Sequence, residues 1–352
     1  MLLNQVGDYR LFRRLGAGGM GDVYLGVSAT ADLAAVKMIH HHLLDDPSIK
    51  QRFASEIENL RTIFGSRVAR LENADPYADP PWLATEFVPG LTLRQYVEQH
   101  GTLPLHLAAM VGAMLAEALD RVHETGLFHR DIKPQNIILG EHGPVLIDFG
   151  LAALTERDAA AAQTQTGMVV GTPAYMAPEQ ARGEKDLSKA VDVYGLGATL
   201  VFALAGHTLF PTTQGAILWV VGSGKQPPDL TGVAPEITSL VTEMIAHDPQ
   251  ARPDLRKVKK DLLQLAAGPG RSVIEVRAEV SRSTYHPTPI EVPPSLTDPS
   301  ADPESDIESS TPTPPDPADA TPRDEQPAAL PAVDVTWLIE KLRRQYARRA
   351  TW

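Results

Sequence analysis

Apolar residues over the first ninety positions fall into short runs separated by turn chemistry. Tyr9–Leu15, Val23–Val27 and Leu33–Ile39 read as three strands, the first two joined through a glycine cluster and the last two through Thr30–Asp32. Ile49, Phe53, Ile57 and Leu60 share one face at helical spacing, which predicts a helix over Ile49–Phe64. Val68–Glu72 and Trp82–Val88 fit two further strands on either side of the Pro/Asp-rich loop Asp75–Pro81. From Leu105 the character turns helical. Leu105–Val122 is apolar on most sides and predicts a core helix. Short strands at Ile137–Leu139 and Val145–Ile147 are split by Gly140–Gly143, and a polar, Ala-rich loop, Leu151–Thr172, leads into further helices ending near Leu265. Val273–Val280 alternates apolar and charged residues, as a short exposed strand would. Val333–Arg349 returns to helical spacing, with Val335, Leu338, Leu342 and Tyr346 on one stripe. No internal repeat is visible.

Composition changes this picture mainly at the C-terminal end. Of 30 prolines among 352 residues, thirteen lie between Pro287 and Pro331, beside ten acids and the single base Arg323. That stretch carries about nine units of the formal net charge of −12. It can bury too little apolar surface to offset the entropy of ordering it, so 282–332 reads as a disordered acidic linker. The acidity of the chain argues against nucleic-acid binding, which calls for a basic face. The absence of cysteine excludes disulfides, thiolate metal sites and thiol nucleophiles. Met1–Arg10 has neither the basic start nor the apolar core of a secretory leader. The longest apolar run, Gly195–Gly206, falls well short of the roughly 20 residues that span a bilayer. A soluble, cytoplasmic protein is expected.

Four motifs carry chemistry. Gly16-Ala-Gly18-Gly-Met-Gly21 lies between two strands, which disfavours a dinucleotide-binding turn, where the last glycine opens a helix. Between strands, it is either an ordinary turn or a hairpin lying close over phosphates. Lys37 ends the next strand and Glu56 lies on the helix that follows, so the pair could hold an ammonium towards a polyphosphate. His129-Arg130-Asp131-Ile-Lys133-Pro-Gln-Asn136 gathers a carboxylate, an ammonium and an amide within six residues. The carboxylate can accept a hydroxyl proton, the lysine can neutralise a transferring phosphate, and Asn136 can ligate a hard cation through oxygen. Asp148-Phe149-Gly150 adds a second carboxylate at a strand end, and two oxygen ligands suit Mg²⁺.

Together with Ala177-Pro178-Glu179, these motifs resemble the signature set of the eukaryotic-like serine/threonine protein kinases of bacteria, over residues 8–265. The resemblance implies an α+β, two-lobed protein-kinase fold. The N-lobe (8–87) would be an antiparallel sheet with one key helix, and the C-lobe (88–265) mostly helical. An extension (266–281), the linker (282–332) and a basic amphipathic helix (333–350) would follow. The cofactors implied are ATP and Mg²⁺, with Mn²⁺ as a substitute. Carried over by position, Asp131 is the base, Lys133 stabilises the γ-phosphoryl group, and Lys37, oriented by Glu56, contacts the α/β-phosphates. Asn136 and Asp148 hold the metal. Leu15, Gly16, Gly18, Gly21, Val23 and Ala35 cover the nucleotide, Leu139 forms the adenine floor, and Thr85, Glu86 and Val88 lie along the hinge.

Asp192 and Gly197 resemble positions of the family's buried central helix, and Arg252 resembles the arginine that pairs with Glu179. Tyr194 departs from the pattern, standing where tryptophan is common. Lys133 and Thr172, a residue expected to position the acceptor, match the serine/threonine branch. Arg130 beside the base implies control by phosphorylation, with Thr164 and Thr166 as acceptors and about −1.5 to −2 charge added at each. An active kinase of protein serines and threonines is the first reading. A kinase-like nucleotide-binding scaffold that recruits partners through its tail is the alternative. The tail itself reads in three ways: a fraying helix, a docking or self-association element, or an anionic-membrane contact.

Overall fold

The computed structural model describes residues 5–43, 47–62, 65, 67–149, 173–211 and 213–290. Nine strands and nine α-helices are assigned among these residues. The N-terminal part is a six-stranded antiparallel sheet in the order β1-β2-β3-β4-β6-β5. Its strands are β1 (Gln5–Val6), β2 (Tyr9–Gly18), β3 (Gly21–Val27), β4 (Leu33–Ile39), β5 (Leu71–Asp75) and β6 (Trp82–Glu86). Period-2 alternation sorts β4 cleanly. Ala34 and Val36 join Val6, Tyr9, Trp82 and Ala84 in one cluster, while Ile39 packs on the other side. There it meets Ile49, Phe53 and Ile57 of helix α1 (Pro47–Leu60). The four-residue apolar stripe expected of α1 is buried in full, at about 1.5–3 kcal/mol per large side chain. The alternation therefore turns Ala35 and Lys37 to the α1 side, where the motif residues gather.

The second part is built on helices. Helix α2 (Leu93–His100) follows the two-residue strand β7 (Leu91–Thr92) and starts in a capping box between Thr92 and Gln95. Helix α3 (Leu105–Glu124) and the short helix α4 (Pro178–Ala181) flank the motif loop in sequence, and α5 (Ala190–Ala205) is the most apolar helix, buried along nearly its whole length. Helices α6 (Gln214–Ser223), α7 (Pro235–Met244), α8 (Leu255–Ala267) and α9 (Val273–Thr284) complete it. Strands β8 (Ile137–Gly140) and β9 (Gly143–Leu146) pair with β7 in a small antiparallel sheet.

Three expectations need correction. Val273–Val280 is part of α9, not a strand, and the linker boundary placed at 282 falls inside that helix. A Ser272–Glu275 capping box opens α9, and Val276, Val280 and Thr284 recur every four residues on its buried face. The strand expected at Val68–Glu72 begins later, at Leu71; Val68 makes only an isolated bridge to Leu146. Gly150, Thr164, Thr166, Thr172 and the C-terminal segment 333–350 lie outside the described residues.

Candidate active site

The loop between α3 and β8 carries the densest chemistry, and a buried carboxylate shapes it. Asp192, at the start of α5, is fully buried and accepts hydrogen bonds from the backbone N–H of His129 (2.9 Å) and of Arg130 (2.7 Å). His123 Nε2 donates to the same carboxylate at 2.7 Å. Burial by itself would raise the Asp192 pKa, but the His123 bond and charge, with the His129 contacts, hold it below the ordinary carboxylate range. The grip on two successive amides accompanies a left-handed backbone at Arg130, φ +64°. The loop thus turns sharply just before Asp131.

Past that turn, Lys133 Nζ lies 2.7 Å from Asp131 Oδ2, and Asn136 Nδ2 donates to the same oxygen at 2.9 Å. Asn136 also donates to the Asp131 backbone carbonyl at 2.9 Å. Its amide nitrogen is therefore spent on Asp131, which leaves the amide oxygen for a hard cation. His129 is buried, and both ring nitrogens are engaged. Nε2 faces the Ile147 carbonyl at 3.1 Å and Nδ1 faces the Asp131 N–H at 3.3 Å. A carbonyl cannot donate and an amide N–H must, so the ring is the neutral Nε2–H tautomer. Burial pushes its pKa down in the same sense.

Phe149 stacks edge-on against His129, with ring centroids 4.8 Å apart, and brings the second carboxylate alongside. Asp148 has φ +59° and meets Lys37 Nζ at 3.0 Å. Burial would raise the Asp148 pKa, but Lys37 and then Lys133 pull it below the ordinary value. Both lysines thus act on this carboxylate, and Asp131, Lys133, Asn136, Asp148 and Lys37 form one constellation. Glu56 is the partner expected for Lys37; Asp148 also forms an ion pair with that lysine, and Glu56, half-buried on α1, is itself engaged.

The residues expected to cover a nucleotide lie in strands β2, β3 and β4 or at their ends. Added methyls at Gly16 would meet nothing within 4 Å and at Gly18 only the Gly21 carbonyl at 3.7 Å, so the loop tip is open. Gly21 differs, because a Cβ there would collide with the Met38 backbone of β4. Val23 pairs in register with Lys37, and Ala35 with Thr85; Leu15 is partly exposed at the loop's start. Leu139 is buried in β8. Glu86 spends its N–H on the Arg70 carbonyl at 2.8 Å, and Val88 lies just past the strand end. Thr85 lines a pocket with Leu60, Val68, Leu71, Asp148 and Phe149.

Two contributors left no signal in the sequence, and the role of a third left none. His123 carries no motif of its own. Gln180, whose amide donates to the Arg130 carbonyl at 2.8 Å, lies fifty residues on. Asp192 was noted for its position, but its hold on the loop backbone is a long-range contact that spacing cannot reveal. Further from the loop, Arg252 grips Glu179 through two bonds of 2.6 and 2.7 Å, and its guanidinium lies 5.1 Å from the Tyr194 ring centroid.

The protein kinase domain family matches residues 9–263. Serine/threonine-protein kinase AfsK of Streptomyces coelicolor is 38% identical over 268 residues, covering 76% of this chain and 33% of that protein. Probable serine/threonine-protein kinase PkwA of Thermomonospora curvata is 40% identical over 259 residues, covering 74% of this chain and 34% of its own length. The chain thus spans about a third of the length of these curated relatives. In fold, it is similar to the crystal structure of the Mycobacterium tuberculosis PknI kinase domain. The TM-score is 0.59 at 24% identity, over 76% of this chain and 100% of that one. With the constellation around Asp131 in place and more than half its length matched, the chain belongs to the protein kinase family, among relatives named as bacterial serine/threonine kinases.

Proposed function

We propose that the chain transfers the γ-phosphoryl group of ATP to serine and threonine hydroxyls of proteins. The observation that carries this reading is the Asp131 carboxylate, held by Lys133 at 2.7 Å and Asn136 at 2.9 Å beside the Lys37–Asp148 pair. Asp131 orients the acceptor hydroxyl and takes its proton. Lys133 offsets negative charge on the phosphoryl oxygens, and Lys37 reaches the α/β-phosphates. Among the described residues no cluster of three His, Cys, Asp or Glu could hold a metal alone. Asn136 and Asp148 supply two hard oxygens, which fits Mg²⁺, or Mn²⁺ in its place, because Mg²⁺ fills its other positions with phosphate and water. Bound there, the metal would supply charge neutralisation for the transferring group.

Glu56 is proposed to orient Lys37 when the nucleotide arrives. Phosphate on Thr164 or Thr166 would bring charge for Arg130, and Thr172 would seat the acceptor residue. The names of the relatives and the Lys133–Asp131 contact support the serine/threonine class. A cytoplasmic setting and docking through 333–350 complete the proposal, supported by the cysteine-free composition and the basic, amphipathic pattern of that segment.

The experiment is transfer of labelled phosphate from ATP to a generic basic protein. Asp131→Asn should lower the rate by about 10²–10⁴-fold, as expected for loss of a positioned base. Lys37→Met should do at least as much. Retention of more than about a tenth of wild-type activity in either variant, a barrier change under about 1.4 kcal/mol, would overturn the assignment.

A further inference from the structure

The polypeptide does not stop at the family-matched residues. Helix α9 packs against α3, β8 and β9, with Val276 and Val280 fully buried and His106 Nε2 3.0 Å from Glu279 Oε1. From its end the chain runs as Tyr285-His286-Pro287-Thr288-Pro289-Ile290. His286 stacks on His100 of α2, with centroids 4.1 Å apart and planes within 11°, and its ring lies 5.8 Å from that of Tyr96. The Tyr96 hydroxyl donates to the Ser283 carbonyl at 3.3 Å. The segment is therefore anchored on the helical side. Two residues later Thr288 Oγ1 donates to the Gly90 carbonyl at 3.3 Å, and Arg13 Nη1 donates to the Pro289 carbonyl at 3.1 Å.

Those last two bonds reach both walls of the proposed nucleotide site. Gly90 closes the connection after β6 at φ +140°. A Cβ there would come within 2.5 Å of the Leu139 carbonyl, so this backbone rests directly on the strand of the adenine floor. Arg13 lies in β2, three residues before Gly16 and between two register shifts of the β2–β3 ladder. The two prolines restrict the segment's backbone and leave their carbonyls as acceptors, so it holds these distances at low entropic cost. We propose that residues 284–290 form a positioning strap that sets the spacing between the glycine-loop strand and the hinge, and through it the affinity for a nucleoside triphosphate. The inference rests on the kinase reading for the identity of the nucleotide, but binding tests it without any transfer.

The experiment uses the full chain with Arg13→Ala, Thr288→Val and both together. The readouts are mant-ADP affinity by fluorescence, the KM for ATP, kcat and the thermal midpoint. Each single change should raise the mant-ADP Kd and the ATP KM about 3- to 10-fold, the worth of a lost hydrogen bond or two, with kcat within about twofold. Arg13→Lys and Thr288→Ser should restore most of the affinity. An unchanged mant-ADP Kd and ATP KM in the double variant would overturn the strap, as would a fall in kcat alone. A wild-type chain that binds mant-ADP but transfers no phosphate would sink the proposed activity and leave the strap to be judged by the Kd alone.

Discussion

His129 makes two hydrogen bonds that only a neutral ring can make together, one donated to the Ile147 carbonyl and one accepted from the Asp131 amide. Around it, Asp192, Asp131 and Asp148 favour a proton, but burial outweighs them and its pKa lies below the ordinary imidazole value. The consequence for stability has a definite sign. Below about pH 6.5 the unfolded chain protonates this histidine while the folded chain does not, so stability falls as pH drops and is fully present above that value. The thermal midpoint should therefore decline between pH 7 and pH 5, and His129→Phe should flatten the decline while lowering stability overall. Equal slopes for the two proteins in buffered thermal melts would refute the tautomer assignment. Asp192 acts in the other range. Its pKa is depressed, so its contribution is lost only as pH falls below the ordinary carboxylate value, outside the range in which His129 acts.

Helix α9 shows how two periods can share one short window. From Ile274 to Val280 apolar and charged residues alternate strictly, which fits a strand, yet Val276 and Val280 are also spaced for a helix face. Burial decides between them: Val276 and Val280 are 0% exposed and Ile274 is 80% exposed. The Ser272–Glu275 capping box was the local signal that the alternation overrode. If α9 fastens the strap, Val280→Ala should cost about 1.5–3 kcal/mol in urea unfolding and also weaken nucleotide binding. A stability loss with unchanged mant-ADP affinity would separate the helix from the site. By contrast α1 was legible at once, because Ile49, Phe53, Ile57 and Leu60 extend over three turns, long enough to exclude the strand period. Asp131, Lys133, Asn136 and Asp148 were legible for a different reason, since their chemistry is compressed into short motifs. His123, Gln180 and the strap were not, because each acts on a residue distant in sequence.

Across the whole molecule, the contacts that shape the site join distant parts of the chain. Arg252 and Glu179, 73 residues apart, form a buried bidentate pair, and the arginine also donates to the carbonyls of Ala190 and Ala246. Arg252→Leu would strand the Glu179 carboxylate and should cost about 3–5 kcal/mol, much of it recovered in the Arg252→Leu/Glu179→Leu double variant. Denaturant midpoints of the three proteins measure this, and a single-variant loss below about 1 kcal/mol would mean that the pair is solvated. Asp192 reaches back 63 residues to the amide of His129 and 69 to the His123 ring, which gives the reactive loop a history as well as a shape. A ribosome makes Asp131 long before the carboxylate that turns the backbone beside it, and domains emerge at about 5–20 residues per second. A nascent chain ending short of α5 therefore carries every residue of the loop without the carboxylate that holds its backbone. On the proposed activity, a fragment truncated before α5 should transfer no phosphate, whatever motifs it contains.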